Sequence, residues 1–235
     1  MREYILPYEK DARLYHIDLY RLEGKQQLNS LGLTDLFVNP KNIPQLADAK
    51  EVISAIDLKP AYSALVPNMK GLERALETQI KRIAIFTAAS ETFNKKNINM
   101  TIEESIKSYK AVVKLALEKG LSVRGYVSTC FICPYEGKIN KEKVLEVTNE
   151  LLSMGVDEVS IGDTIGAAVP KDIYETVGFL LNTIPKEKIA LHFHDTYNNA
   201  LVNVAAGIDL GITTFDSSSG GIGGCPYAPG ANGNL

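Results

Sequence analysis

The chain has 235 residues, 45% of them apolar, and a formal charge of -3, enough to bury one sizeable core and too little positive charge to present a basic face to a nucleic-acid backbone. No apolar run reaches the roughly 18 residues that would cross a membrane, and Arg2, Glu3, Glu9, Lys10 and Asp11 stand where a secretory signal would carry an apolar core. Three cysteines, an odd number, make no disulfide framework and fit a reducing, intracellular compartment.

From Ala61 onward, short β-rich runs alternate with longer amphipathic segments. Strands are predicted near 61–66, 82–87, 122–128, 157–162, 188–194 and 212–216. The segment 101–119 is the clearest helix: Thr101 and Glu104 have capping-box spacing, Ile106, Val113 and Leu117 follow a helical period, and Gly120 ends it. Helices are also predicted over 140–154, stopped by Gly155, over 170–183, opened by Pro170, and over 197–210.

Such alternation implies a parallel sheet with right-handed crossovers, either an open doubly wound sheet or a closed barrel. Arg124, Tyr126, Asp163, His192, His194, Asp216 and Ser217 all fall late in their strands or just after. A closed barrel gathers such ends around one pocket, whereas an open sheet spreads them along a line. The expected fold is therefore an α/β, TIM (β/α)8-type barrel of parallel strands with outer helices, forming a single domain over 1–235.

Four groups of residues carry candidate chemistry. His192 and His194 are two apart on a strand, so their imidazoles share a face with Cα atoms about 6.5–7 Å apart, fit either to ligate one metal ion or to pair with neighbours in a core. Arg124 and Tyr126 likewise share a face, and a buried arginine needs an anion; Asp163 is the candidate, as ion-pair partner or general base. Gly220, Gly221, Gly223 and Gly224 precede Cys225. That spacing matches no dinucleotide or P-loop fingerprint and fits a flexible lid carrying a thiol, or else a terminus with an incidental one. Cys130 and Cys133 form a C-x-x-C pair without the context of a zinc or thioredoxin site, and are read as barrel-wall or pocket residues.

Taken together, Tyr126-Val127-Ser128, Cys133-Pro134-Tyr135-Glu136-Gly137-Lys138, Gly162-Asp163-Thr164-Ile165-Gly166, His192-Phe193-His194-Asp195-Thr196 and Gly223-Gly224-Cys225-Pro226-Tyr227-Ala228 with Gly233-Asn234 resemble the hydroxymethylglutaryl-CoA lyases in order and spacing. Val38-Asn39-Pro40-Lys41, Val66-Pro67-Asn68, Ala88-Ala89-Ser90-Glu91 and Asn94-Lys95-Lys96-Asn97 resemble the early loops of that family, and the likeness covers 37–235. The resemblance implies a metallolyase-superfamily barrel that splits 3-hydroxy-3-methylglutaryl-CoA into acetoacetate and acetyl-CoA. It further implies His192, His194 and Asn234 as ligands of a divalent cation, Cys225 as the lid cysteine that protonates the departing enolate, and Asp163 beside the substrate hydroxyl. Arg124, Tyr126 and Thr164 would line the acyl pocket, and Lys95, Lys96 and Asn97 would approach the CoA phosphates, a solvated lysine pair being the alternative. A site of imidazoles and oxygens without thiolate ligands suits Mg²⁺ or Mn²⁺. The implied partner is an acyl-CoA, with neither nucleic acid nor membrane, in a homodimer or other homo-oligomer of the cytoplasm or mitochondrial matrix.

The family pattern breaks at both ends. Its first strand carries an Arg-Asp-Gly motif that supplies a metal-ligating aspartate, and residues 1–34 contain none: Arg2-Glu3 is a faint echo and Asp11-Ala12-Arg13 has the wrong order. Leu235 follows Asn234 directly. The barrel is thus expected to be incomplete or diverged at its N-terminus and truncated at its C-terminus, and loss of the first strand would leave two exposed sheet edges. Two other readings compete: a related barrel condensing a 2-oxo acid with acetyl-CoA, and a catalytically impaired member of the family.

Overall fold

The computed structural model describes residues 62–218 and 233–234, together with Ile53 and the backbone of Arg13–Leu14. Its elements in chain order are β1 (Arg13–Leu14), β2 (Ser63–Leu65), α1 (Met69–Leu76), β3 (Arg82–Ala88), α2 (Glu91–Ile98), α3 (Ile102–Glu118), β4 (Ser122–Ser128), the small strands β5 (Ile132–Cys133) and β6 (Gly137–Lys138), α4 (Lys141–Ser153), β7 (Glu158–Asp163), α5 (Pro170–Leu180), β8 (Ile189–Phe193), α6 (Ala200–Asp209) and β9 (Thr214–Asp216). Strands β1-β9-β8-β7-β4-β3-β2, in that spatial order, make one sheet in which every pair is parallel; β5 and β6 form a separate antiparallel hairpin.

The sheet is curled into an incomplete α/β barrel. Arg124 on β4 and Asp216 on β9 are separated by two strands, which in a flat sheet would put their backbones about 14 Å apart. Their side chains nevertheless meet at 2.8 Å, so the inner faces of β4 and β9 look at each other across an interior. Helices cover the other face. The outward parity of the central strands is mainly apolar and buried: Ile83 and Ile85, Val123 and Val127, Val159 and Ile161, Ile189, Leu191 and Phe193, and Phe215 all join one core with Val113, Val147, Leu151, Ile173, Val177 and Leu180 from the helices. Each such side chain contributes about 1.5–3 kcal/mol when fully buried. Close approach of α6 to the sheet depends on Gly207, where an added Cβ would stand 2.6 Å from the Leu191 side chain and 2.9 Å from that of Phe215.

Local chemistry explains the boundaries. The predicted capping box of α3 is present: the Thr101 hydroxyl accepts from Glu104 N at 3.0 Å and the Glu104 carboxylate accepts from Thr101 N at 2.7 Å, and Gly120 leaves the helix at φ +76. Helix α5 stops at Leu180, short of 183, because the amides of Asn182 and Thr183 turn to carbonyls three residues back and Pro185 follows. Helix α6 starts at Ala200, later than 197, since Asp195 accepts from Ala200 N at 3.0 Å and Asn198 takes a left-handed φ of 59. Helix α1 fills the gap between the first two predicted strands and α2 follows β3, eight residues each; Asn68 and Ser90 cap them by accepting from Gly71 N and Phe93 N.

The N-terminus, expected to be incomplete or diverged, supplies one short strand to the sheet. Arg13–Leu14 pairs in parallel with β9, Arg13 opposite Thr214 and Leu14 opposite Phe215, so β9 is not an edge of the sheet. This strand carries no aspartate, and the rest of residues 1–34 lie outside the described part of the structure.

Candidate active site

Strand pairing sets which side chains enter the interior. Arg124 is opposite Glu158, Tyr126 opposite Ser160, Gly162 opposite His192, and His192 opposite Asp216. Residues opposite one another in a parallel ladder share a face, so this set points inward from four consecutive strands.

Asp216 is its centre. Its Oδ1 accepts from Arg124 Nη1 at 2.8 Å, while Oδ2 accepts from the Ser160 hydroxyl at 2.8 Å and lies 3.2 Å from His192 Nδ1. Arg124 is 3% exposed and Asp216 likewise 3%. Arg124 also donates to the Tyr126 hydroxyl at 2.9 Å, lies over the Tyr126 ring, and sets its Nε 2.9 Å from Glu158 Oε1. Burial alone would lower the pKa of the guanidinium, but Tyr126, Asp216 and Glu158 outweigh it and push that pKa above the ordinary value. Arg82 approaches the same Glu158 oxygen at 3.6 Å. A ladder of alternating charge thus runs along the interior from Arg82 through Glu158 and Arg124 to Asp216, and ends at the histidines.

Those histidines meet as their spacing predicts. His192 Nε2 and His194 Nε2 are 3.1 Å apart, both side chains are largely buried, and the edge of His192 meets Tyr126 with ring centroids 6.3 Å apart. Asn234 joins them through an antiparallel bridge to His194, supported by Asp195 N donating to Gly233 O at 3.2 Å. Asn234 is 1% exposed, and neither its amide oxygen nor its amide nitrogen has a hydrogen-bond partner among the described residues. Leaving such a group buried and unpaired costs about 1–3 kcal/mol.

The donors present suit a divalent cation. Two nitrogens held about 2.1 Å from one ion at a right angle stand about 3.0 Å apart, close to the 3.1 Å observed, and an unpaired amide oxygen supplies a hard third donor. Among the described residues no cluster of three or more His, Cys, Asp or Glu side chains is placed to hold a metal; the candidate set is two imidazoles and one amide.

Asp163 is not the anion that answers Arg124. It has the parity of Phe193, to which it is paired, opposite to that of Ser160 and His192, and its carboxylate accepts from Ala167 N at 3.2 Å and Ala168 N at 2.9 Å. Burial raises its pKa to about 6, although those amides pull it down. Asp163 thereby folds the β7–α5 loop against the histidine strand. Gly166, at φ +67, lies so close that an added Cβ would be 2.6 Å from the carbonyl oxygen of His194. Thr164 ties the same loop to the end of β4 by accepting from Thr129 N at 2.8 Å.

The remaining predicted residues are more distant from this cluster or outside the description. Lys95, Lys96 and Asn97 lie on α2, which begins three residues after β3 on the side where the strands end. Lys95 pairs with Glu91 at 3.8 Å and Lys96 lies over the Tyr135 ring. Cys225 lies outside the described residues. Cys130, just after β4, and Cys133, on β5, are both buried; Cys130 donates to Val127 O, and burial pushes its thiol pKa up. Sequence reasoning singled out Asp216 only as a late-strand residue and passed over Ser160 and Glu158. The alternation Glu158, Ser160, Gly162, read against Arg124 and Tyr126, was the available signal.

Residues 26–235 match the family model described as HMGL-like. The chain is 48% identical over 201 residues to the mitochondrial hydroxymethylglutaryl-CoA lyase of Bos taurus, an alignment covering 85% of the chain and 62% of the relative. The chain therefore spans about three-fifths of the length of that relative. A crystal structure of the HMG-CoA lyase of Bacillus subtilis superposes with a TM-score of 0.89 at 41% identity, covering 98% of the chain and 84% of its counterpart. An HMG-CoA lyase from Acinetobacter baumannii, in complex with coenzyme A and 3-methylmalate, superposes with a TM-score of 0.81 at 37% identity over 89% of the chain and 70% of its counterpart.

Proposed function

The chain belongs to the HMGL-like family, and from that premise we propose that it acts as a carbon–carbon lyase on 3-hydroxy-3-methylglutaryl-CoA, releasing acetoacetate and acetyl-CoA. The observation that carries the proposal is the convergence of His192 Nε2 and His194 Nε2 at 3.1 Å, with Asn234, whose buried amide has no hydrogen-bond partner among the described residues, bridged through its backbone to His194. These three side chains would hold Mg²⁺ or Mn²⁺. Such a cation supplies Lewis acidity toward the hydroxyl and carboxylate oxygens of the substrate.

The protein's own part is positional and electrostatic. Cleavage passes the proton of the tertiary hydroxyl to water and breaks the bond to the methylene beside the thioester, and the electron pair then enters the thioester enolate, which must be protonated. Cys225 is the proposed proton donor to that carbon. Tyr126, half-buried and edge-on to His192, lines the acyl pocket, while Arg124, paired with Asp216, Glu158 and Tyr126, forms its charged floor. Asp163 and Thr164 act through the loop they brace against His194. Lys95 and Lys96 are the proposed contacts of the CoA phosphates, consistent with exposed ammonium groups on the side where the strands end.

A coupled assay for acetyl-CoA release from hydroxymethylglutaryl-CoA, run with Mg²⁺ and with chelator, tests the proposal. Release that depends on the cation is expected. Absence of release under both conditions, from a folded chain, would overturn it.

A further inference from the structure

Asp216 contacts Arg124, Ser160 and His192, and the last of these bears on the chemistry of the histidine pair. Its Oδ2 stands 3.2 Å from His192 Nδ1 and 2.8 Å from the Ser160 hydroxyl, while its Oδ1 is 2.8 Å from Arg124 Nη1. A carboxylate facing a guanidinium is an acceptor only. A ring nitrogen facing one of its oxygens must therefore carry its hydrogen toward it, since two lone pairs would repel. In a neutral imidazole only one nitrogen bears hydrogen, so an Nδ1–H donor leaves Nε2 with its lone pair. That Nε2 is the atom 3.1 Å from His194 Nε2.

We propose that Asp216 is a positioning residue that fixes His192 as the Nδ1–H tautomer, so that its Nε2 lone pair faces His194 ready for a cation. Arg124 and Ser160 hold the carboxylate in place from two other strands, β4 and β7, and the tautomer is thereby written into the packing of the barrel. This inference rests on the cation reading of His192, His194 and Asn234, but the tautomer is a property of the protein without the ion and can be measured separately.

The chain holds three histidines, which makes ¹⁵N-resolved imidazole NMR tractable, with a His192→Ala variant to identify the resonances. In the cation-free chain at pH 8, His192 is expected to show a protonated Nδ1 and an unprotonated Nε2; the opposite tautomer would overturn the assignment whatever the variants do. Asp216→Asn, which can turn an amide N–H toward Nδ1, is expected to shift the population toward Nε2–H and to weaken Mn²⁺ binding by roughly 10–100-fold. A folded Asp216→Asn chain with the parent's tautomer and Mn²⁺ affinity would also overturn it. If that variant does not fold, the tautomer of the parent chain still decides. An Nδ1–H tautomer in a chain that fails to bind Mn²⁺ would sink the cation reading and leave the role of Asp216 in orienting His192 standing.

Discussion

Arg124 and Asp216, 92 residues apart in the chain and separated by two strands in the sheet, form a buried ion pair of 2.8 Å across the interior of the barrel. The pair ties the curvature of the sheet to the histidine site, because the same carboxylate faces His192 Nδ1. Removing the guanidinium would leave Asp216 and Glu158 as buried charges without their main counter-ion. Arg124→Gln is expected to lower unfolding stability by about 3–5 kcal/mol, measured by urea denaturation. A loss below about 1 kcal/mol, within the range of exposed ion pairs, would contradict this reading.

Asn234 should behave in the opposite sense. Its amide is buried and makes no hydrogen bond among the described residues, so replacing it by alanine removes a desolvation penalty. Asn234→Ala is expected to leave the cation-free chain as stable as the parent or more so, and to weaken Mn²⁺ binding about tenfold or more, the equivalent of about 1.4 kcal/mol. Thermal unfolding and calorimetry on the same sample check both halves. A clear loss of stability without loss of affinity would mark the amide as structural.

Much of this arrangement was legible in the sequence, and the failures have definite causes. Strand β4 was predicted over its full range, and the capping box of α3 was read from Thr101 and Glu104, because both signals are local. The His192–His194 pairing also followed from a period of two. The partner of Arg124 did not: Asp163 is nearer in sequence, but the register that sets Arg124 against Glu158 gives Asp163 the other parity. Only the closure of the sheet brings β9 across to β4, and that closure is tertiary. Helix α2, eight residues rich in polar side chains, has little amphipathic period to stand out from a loop.

The raised carboxyl of Asp163 makes a pH prediction. Its folded pKa is about 6 against an ordinary 3.8, with burial as the main cause. A group whose folded pKa lies above its unfolded value binds protons more tightly when folded. Its contribution is therefore full below about pH 4 and is lost as pH rises through about 6, a change on the order of 3 kcal/mol. Asp163→Asn is expected to remove that dependence, so the difference in stability between parent and variant should shift in the variant's favour between pH 4 and pH 7. A difference that stays constant across that range would show that Asp163 does not titrate there.

Cys225, as the proposed proton donor to the enolate, should matter to turnover and not to the cation. Cys225→Ser is expected to slow release of acetyl-CoA by roughly 10²–10⁴-fold with unchanged Mn²⁺ affinity. Turnover at the parent's rate would remove the residue from the mechanism.

The account depends most on a cation held by His192, His194 and Asn234, and calorimetric titration of Mn²⁺ into the parent chain and into a His192→Ala/His194→Ala variant tests this most directly. The prediction is one saturable site in the parent and none in the double variant. Equal binding by the two would contradict the account.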